Sequence, residues 1–131
     1  MKYRANYSQL VMPDHINVIG TLFGGKMVSW MDLAAAKASY RFLEGTGASG
    51  AVTVVIEKVE FAEPVYLGEW VNFVSTVEEA GKTSFTIKVE AYAEGRERGN
   101  RLACSAIIKM VAVKGDKDGK YKKLAHGKTV E

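Results

Sequence analysis

Asp32 is the residue in this sequence most in need of an explanation. It sits between Met31 and Leu33, just before three consecutive alanines, in an otherwise apolar run. A carboxylate there is costly unless it has partners or a task. One well-placed carboxylate can act as a general base or as a nucleophile. A plainer description also fits: an aspartate on a solvent-facing stripe beside Ser29 and Lys37, since structural ion pairs are common. Gly24 and Gly25 open the same run. Backbone N–H groups at a helix start have no intrahelical acceptor and carry partial positive charge. Glycine lets a ligand come close to that backbone. Such a start can hold an oxygen that gains negative charge during a reaction, although glycines also occur at helix starts that bind nothing.

Other apparent motifs are weaker. Residues 20–27, GTLFGGKM, nearly match the phosphate loop GxxxxGK[ST], but Met27 stands where a Ser or Thr must hold Mg²⁺. GASG at 47–50 is one residue short of the GxSxG serine elbow. Cys104 is the only cysteine, so no internal disulfide can form, and with the distant His15 and His126 it makes no zinc site. No metal is expected. Asn6-Tyr7-Ser8 fits a glycosylation sequon that a chain without a secretion signal never presents. Asp116-Lys117-Asp118-Gly119 is too short for a calcium loop and reads as a turn. The formal net charge of +3 is too weak to argue for nucleic acid, but it suits a polyanionic ligand of modest size. The first dozen residues lack the apolar core of a signal peptide, and no run approaches the length of a membrane span. A reducing cytoplasm is therefore the expected compartment, with no membrane partner.

The elements that would hold these residues follow from periodicity. The 131 residues, 47% hydrophobic and 25% charged, suit one folded domain over 1–114, with a Lys-rich, polar tail over 115–131 expected to be loose. Residues 2–12 alternate as a strand that Pro13 ends, and 13–23 read as a loop. After Gly24-Gly25, residues 26–44 lack Pro and Gly and predict a helix whose apolar face is Met27, Met31, Ala34, Ala35, Ala38 and Phe42. Strands are predicted at 51–61, 69–79, 83–93 and 101–113, with Leu102, Cys104, Ala106, Ile108, Met110 and Ala112 sharing a face of the last. Short links among these four imply antiparallel hairpins. One apolar helix and one sheet leave a single arrangement, an α+β fold with the sheet curled around the helix. Trp70, Val71, Phe73 and Val74 put apolar groups on both faces of one strand, as do Val52, Val54 and Val55, so a dimer at least is expected.

The stretch Pro13-Asp14-His15-Ile16-Asn17-Val18-Ile19-Gly20-Thr21-Leu22-Phe23-Gly24-Gly25, followed by a helix carrying Met31-Asp32, closely resembles the acyl-CoA thioesterase family of hotdog proteins. Val52-Thr53, Phe61, Pro64-Val65, Gly68 and Gly81-Lys82-Thr83-Ser84 extend the resemblance through most of residues 10–113. It implies a long central helix wrapped by a five- to six-stranded antiparallel sheet, in dimers often assembled as hexamers. It implies hydrolysis of acyl-CoA, with Asp32 as base or nucleophile, Asn17 reaching in from across the dimer interface, and Gly25 as the oxyanion contact. Phe23, Gly24 and Thr53 would line the substrate site. Gly81, Lys82, Thr83 and Ser84 would meet the CoA moiety, with Lys82 near phosphate, unless they form only a β-turn. No cofactor is implied, CoA being part of the substrate. Ile16 departs from the family, where threonine is usual, and His15 is given no catalytic role. Two other functions keep the same fold: a dehydratase or isomerase pairing His15 with Asp32, and a non-catalytic acyl-CoA-binding protein.

Overall fold

The computed structural model describes residues 3–130. The elements run β1 (Arg4–Leu10), a single 3-10 turn (Pro13–His15), α1 (Gly24–Phe42), β2 (Gly50–Phe61), β3 (Trp70–Ala80), β4 (Ser84–Gly95), β5 (Gly99–Gly115) and β6 (Tyr121–Lys123). All strand pairs are antiparallel in one sheet of order β1-β3-β4-β5-β2, with β6 joined to β5. The sheet wraps the helix as expected. No helix among the described residues is long and apolar enough to cross a membrane.

Every residue of the expected helical face is buried, joined by Trp30 and Ser39. The alanines matter because a small side chain lets the sheet approach the helix closely. Ser75 of β3, fully buried, donates to the Ala34 carbonyl at 2.9 Å and to the Ala5 carbonyl at 3.3 Å, tying α1, β1 and β3 together. Lys37 and Arg41, one turn apart on α1, donate to the Asn6 and Arg4 carbonyls of β1 at 2.6 and 2.9 Å. The other edge of the sheet differs. On β2, Val52, Val54, Val55, Ile56 and Phe61 are between 37% and 58% exposed, and no strand among the described residues pairs with its outer side.

Gly24 and Gly25 form the first turn of the helix, as the helix-start reading expects. Three expectations require correction. The hairpin pattern holds for β3-β4-β5 but fails for β2, which pairs with β5 at the far edge. The link 62–69 carries the chain across instead of folding it back. Leu102 leaves the core face because the register slips at Ala103, between the pairs Ala91–Cys104 and Tyr92–Leu102. Ala103 is fully buried, while Leu102 stays on the outer surface. The tail is held rather than loose. Beyond β6, Leu124 N–H donates to Ala112, and His126 is buried against the rings of Phe42 and Phe85.

The crossing link is clamped by a pair the sequence did not advertise. Glu69 accepts from Arg101 through both oxygens, at 2.7 and 3.1 Å, and from the Tyr66 N–H at 2.9 Å. Arg101 also donates to the Pro64 carbonyl at 2.9 Å. Gly95 makes room for this clamp: a Cβ there would fall 2.1 Å from the Glu69 carboxylate.

Candidate active site

Helix α1 runs antiparallel along β2, and the residues of interest lie on that seam. At one end Gly24 packs beside the Phe61 ring, where a Cβ would stand 3.6 Å from it, in ordinary van der Waals contact. Farther along, the half-buried Asp32 accepts a hydrogen bond from the Thr53 hydroxyl through Oδ1 at 2.7 Å. Its Oδ2 has no hydrogen-bond partner among the described residues. Thr53, expected among the substrate contacts, thus holds the carboxylate in place. It sits where the β2–β5 register slips between Thr53 and Val55, a bulge that re-aims the strand there. Nothing in the linear sequence paired these two residues. The signal available was a hydroxyl inside the apolar first half of that strand.

Asn17 closes a tight turn. Its Oδ1 accepts from the Ile19 and Thr21 N–H groups, both at 3.1 Å, and its Nδ2 donates to the Thr21 hydroxyl at 2.9 Å. The left-handed backbone of Gly20, φ +88°, completes the turn, and Val18 and Ile19 stand out fully at its tip. The carboxamide makes no hydrogen bond to Asp32 of the same chain among the described residues. Ile16 bridges Leu22 across the base of the turn, so the departure from threonine adds a partly buried apolar contact there. His15 is engaged structurally: Nδ1 accepts from the Met12 N–H at 3.0 Å, and the ring lies edge-on to Trp30 at 4.9 Å.

At the helix start, the N–H groups of Lys26 and Met27 are taken by the Phe23 carbonyl. Those of Gly24 and Gly25 have no acceptor among the described residues. The exposed Phe23 ring lies so close over Gly25 that a Cβ there would meet it at 2.9 Å. Beside this turn is a groove of about 350 Å³ between Leu22, Gly24, Met27, Phe61 and Pro64. Asp32 is about two turns further on, ~10 Å along the axis. The free N–H groups point out past the helix start, away from it.

The Gly81–Ser84 segment is a turn closed by a Gly81 N–H bond to the Ser84 carbonyl at 2.8 Å. The buried His126 ties it to the far end of α1, since the His126 N–H donates to the Lys82 carbonyl at 3.2 Å and its ring lies 5.1 Å from Phe42. The 19-residue helix, about 27 Å long, separates this turn from Gly24. Within one protomer, then, Asp32 and Thr53 come together, Phe23, Gly24 and Gly25 form a second group, and Gly81, Lys82, Thr83 and Ser84 a third.

Residues 19–100 match the family model of the thioesterase superfamily. The chain is 33% identical over 119 residues to the acyl-CoA thioester hydrolase YciA of Escherichia coli K12, covering 88% of this chain and 86% of that one. It superposes on an acyl-CoA hydrolase from Staphylococcus aureus, solved with butyryl coenzyme A and coenzyme A, with TM-score 0.77 at 26% identity, covering 95% of this chain and 73% of that one. That enzyme has also been solved with an aspartate, an asparagine or a threonine replaced by alanine. The hexameric thioesterase y2039 of Yersinia pestis superposes with TM-score 0.77 at 30% identity, covering 90% of this chain and 92% of that one.

Proposed function

Because this chain belongs to the thioesterase superfamily, we propose that it hydrolyses acyl-CoA to a free acid and CoA, with Asp32 as the carboxylate that activates water. The activity is that of an acyl-CoA thioester hydrolase. One observation carries the assignment to Asp32: the Thr53 hydroxyl engages Oδ1, leaving Oδ2 to accept from water. Asp32 takes the water proton as the oxygen attacks the thioester carbonyl carbon. The resulting oxyanion is held by free N–H groups at a helix start. The C–S bond then breaks, and the proton on Asp32 leaves with the CoA sulfur. A thioester is already activated, so the reaction calls for no metal or organic cofactor.

The ~10 Å between Gly25 and Asp32 on one helix, with the N–H groups aimed outward, argues that one thioester is served by two chains. Asp32 of one protomer would meet Asn17 and the Gly24-Gly25 start of its partner, and the Lys82 turn would lie near CoA phosphate. The exposed apolar strip on β2 supports that pairing, since a surface of this kind beside an open sheet edge marks an interface. The assembly is a homodimer at least, and the hexameric neighbour supports three such dimers. Light scattering at micromolar protein is expected to show no monomer; a monodisperse monomer would refute the two-chain site. A cytoplasmic setting, where acyl-CoA is found, fits the lone buried thiol Cys104.

The decisive assay is thiol release across a panel from acetyl- to palmitoyl-CoA. Turnover with some members is expected. Thermal protection by CoA without thiol release from any member would make the chain a binding protein instead.

A further inference from the structure

We infer that His126, in the segment beyond β6, is a positioning residue for the substrate: it holds the Gly81–Ser84 turn so that the turn's donors face the phosphates of CoA. The inference rests on the thioesterase reading above. His126 is 6% exposed and reaches no ligand itself. It works on the turn through two bonds. Its backbone N–H donates to the Lys82 carbonyl at 3.2 Å, and its ring Nε2 donates to the Ser84 carbonyl at 2.9 Å. A carbonyl only accepts, so Nε2 carries the ring proton, and Nδ1 is left to accept from the Lys128 N–H at 3.0 Å.

The ring is seated for this task, edge-on to Phe42 at 5.1 Å and to Phe85 at 6.1 Å. The strands bring it there. One margin of β5 is taken by β2 as far as Val113. Along the other, β4 pairs as far as Val111, and β6 takes over from Val113. The tail therefore abuts the turn at the start of β4. Ala112 joins the two: its carbonyl accepts from the Leu124 N–H at 2.9 Å, and its N–H donates to the Thr83 carbonyl at 2.8 Å.

Each carbonyl from Lys82 to Ser84 is thus held by a donor of β5 or the tail. A trans peptide points its C=O and the following N–H in opposite directions. Drawing the Lys82 carbonyl onto His126 therefore turns the Thr83 N–H away from the tail. Neither it nor the Lys82 N–H has an acceptor among the described residues, and the Lys82 side chain beside them is exposed. Successive free N–H groups on a turn make a cradle for an anion. A phosphate of CoA supplies one. Without His126 the turn keeps its Gly81–Ser84 closure and its Ala112 bond, but loses the bond that aims the cradle.

The test compares KM and kcat for the best acyl-CoA of the panel and for the same acyl group on pantetheine, which carries no phosphate. His126→Asn keeps an acceptor for the Lys128 N–H, but its amide is too short to reach the Ser84 carbonyl. Its KM for acyl-CoA is expected to rise about tenfold, the scale of one hydrogen bond to a charged group. Its kcat, and its KM for acyl-pantetheine, are expected to change little. His126→Gln returns a donor near the Nε2 position and is expected to regain most of the loss. Thermal melting reports folding. Equal rises in both KM values, or an unmoved acyl-CoA KM in folded His126→Asn, would overturn the positioning role while leaving the thioesterase reading intact. If His126→Asn does not fold, the nitrogen NMR signal of the His126 ring in the wild type carries the test. CoA is expected to shift it and pantetheine is not; the same response to both would overturn the role. Wild-type protein that releases no thiol from any acyl-CoA would overturn both readings.

Discussion

Asp32→Asn is expected to lower turnover by about 10²-fold or more, the scale on which a positioned general base acts. The substitution is a clean one here. An asparagine oxygen still accepts from the Thr53 hydroxyl that now bonds Asp32 at 2.7 Å, so the side chain stays placed. What is lost is an oxygen able to take a proton from water. CoA affinity is expected to survive, because the CoA contacts lie elsewhere. Thermal stability should hold or rise, since a half-buried carboxylate carries a desolvation cost that an amide largely avoids. Asn17→Ala should also be impaired, and mixing it with Asp32→Asn should restore part of the activity after subunit exchange. A mixed dimer regains one site with both residues intact if Asn17 and Asp32 meet across the interface. Near-normal turnover by Asp32→Asn would end the mechanism. Confirmed exchange without recovery would place Asn17 in the same chain's site.

Glu69→Gln is expected to cost about 3 kcal/mol at neutral pH, because removing one member of a buried ion pair strands the other. Burial alone would raise the Glu69 carboxyl. The Arg101 guanidinium and the Tyr66 N–H outweigh it, and the group sits below the ordinary value of 4.5. The pH dependence follows from that direction. A carboxyl depressed in the folded state contributes stability that is fully present above its unfolded value, and loses it as pH falls through the folded one. Wild type and Glu69→Gln should therefore differ most near pH 7 and converge well below pH 4.5. Urea unfolding at the two extremes measures this. A gap of equal size at both would show that the carboxylate charge contributes nothing to the clamp.

The helix was readable because burial imposes a 3.6-residue period, and Met27 through Phe42 obey it. Asp32 was conspicuous for the same reason: it breaks an apolar run without a neighbour to explain it. Thr53 was invisible as its partner, because which strand residue faces Asp32 depends on how α1 and β2 are offset, a tertiary quantity. The same limit hid the clamp, since Glu69 ends the link before β3, Arg101 lies on β5, and each resembles an ordinary surface charge. The Ala103 bulge flips one pair of side chains, and no alternation rule predicts where it falls. The tail looked polar by composition, yet His126 and Val130 suffice to seat it. Asn17 was picked out through the resemblance, and its hydrogen bonds show what the residue type also does: it stiffens the turn that presents it.

The unequal edges of the sheet decide how far strand addition can go. A sheet with two open margins can add a copy of itself on either side and keep growing, the route to fibres. Here Lys37 and Arg41 occupy the Asn6 and Arg4 carbonyls of β1, whereas no strand among the described residues pairs with the outer side of β2. In the pairing proposed above β2 would join β2, giving a continuous sheet of twelve strands, six from each chain. Any larger particle must then be built through sheet faces and loops. Lys37 and Arg41 thus occupy two of the acceptors that a further strand would need on β1.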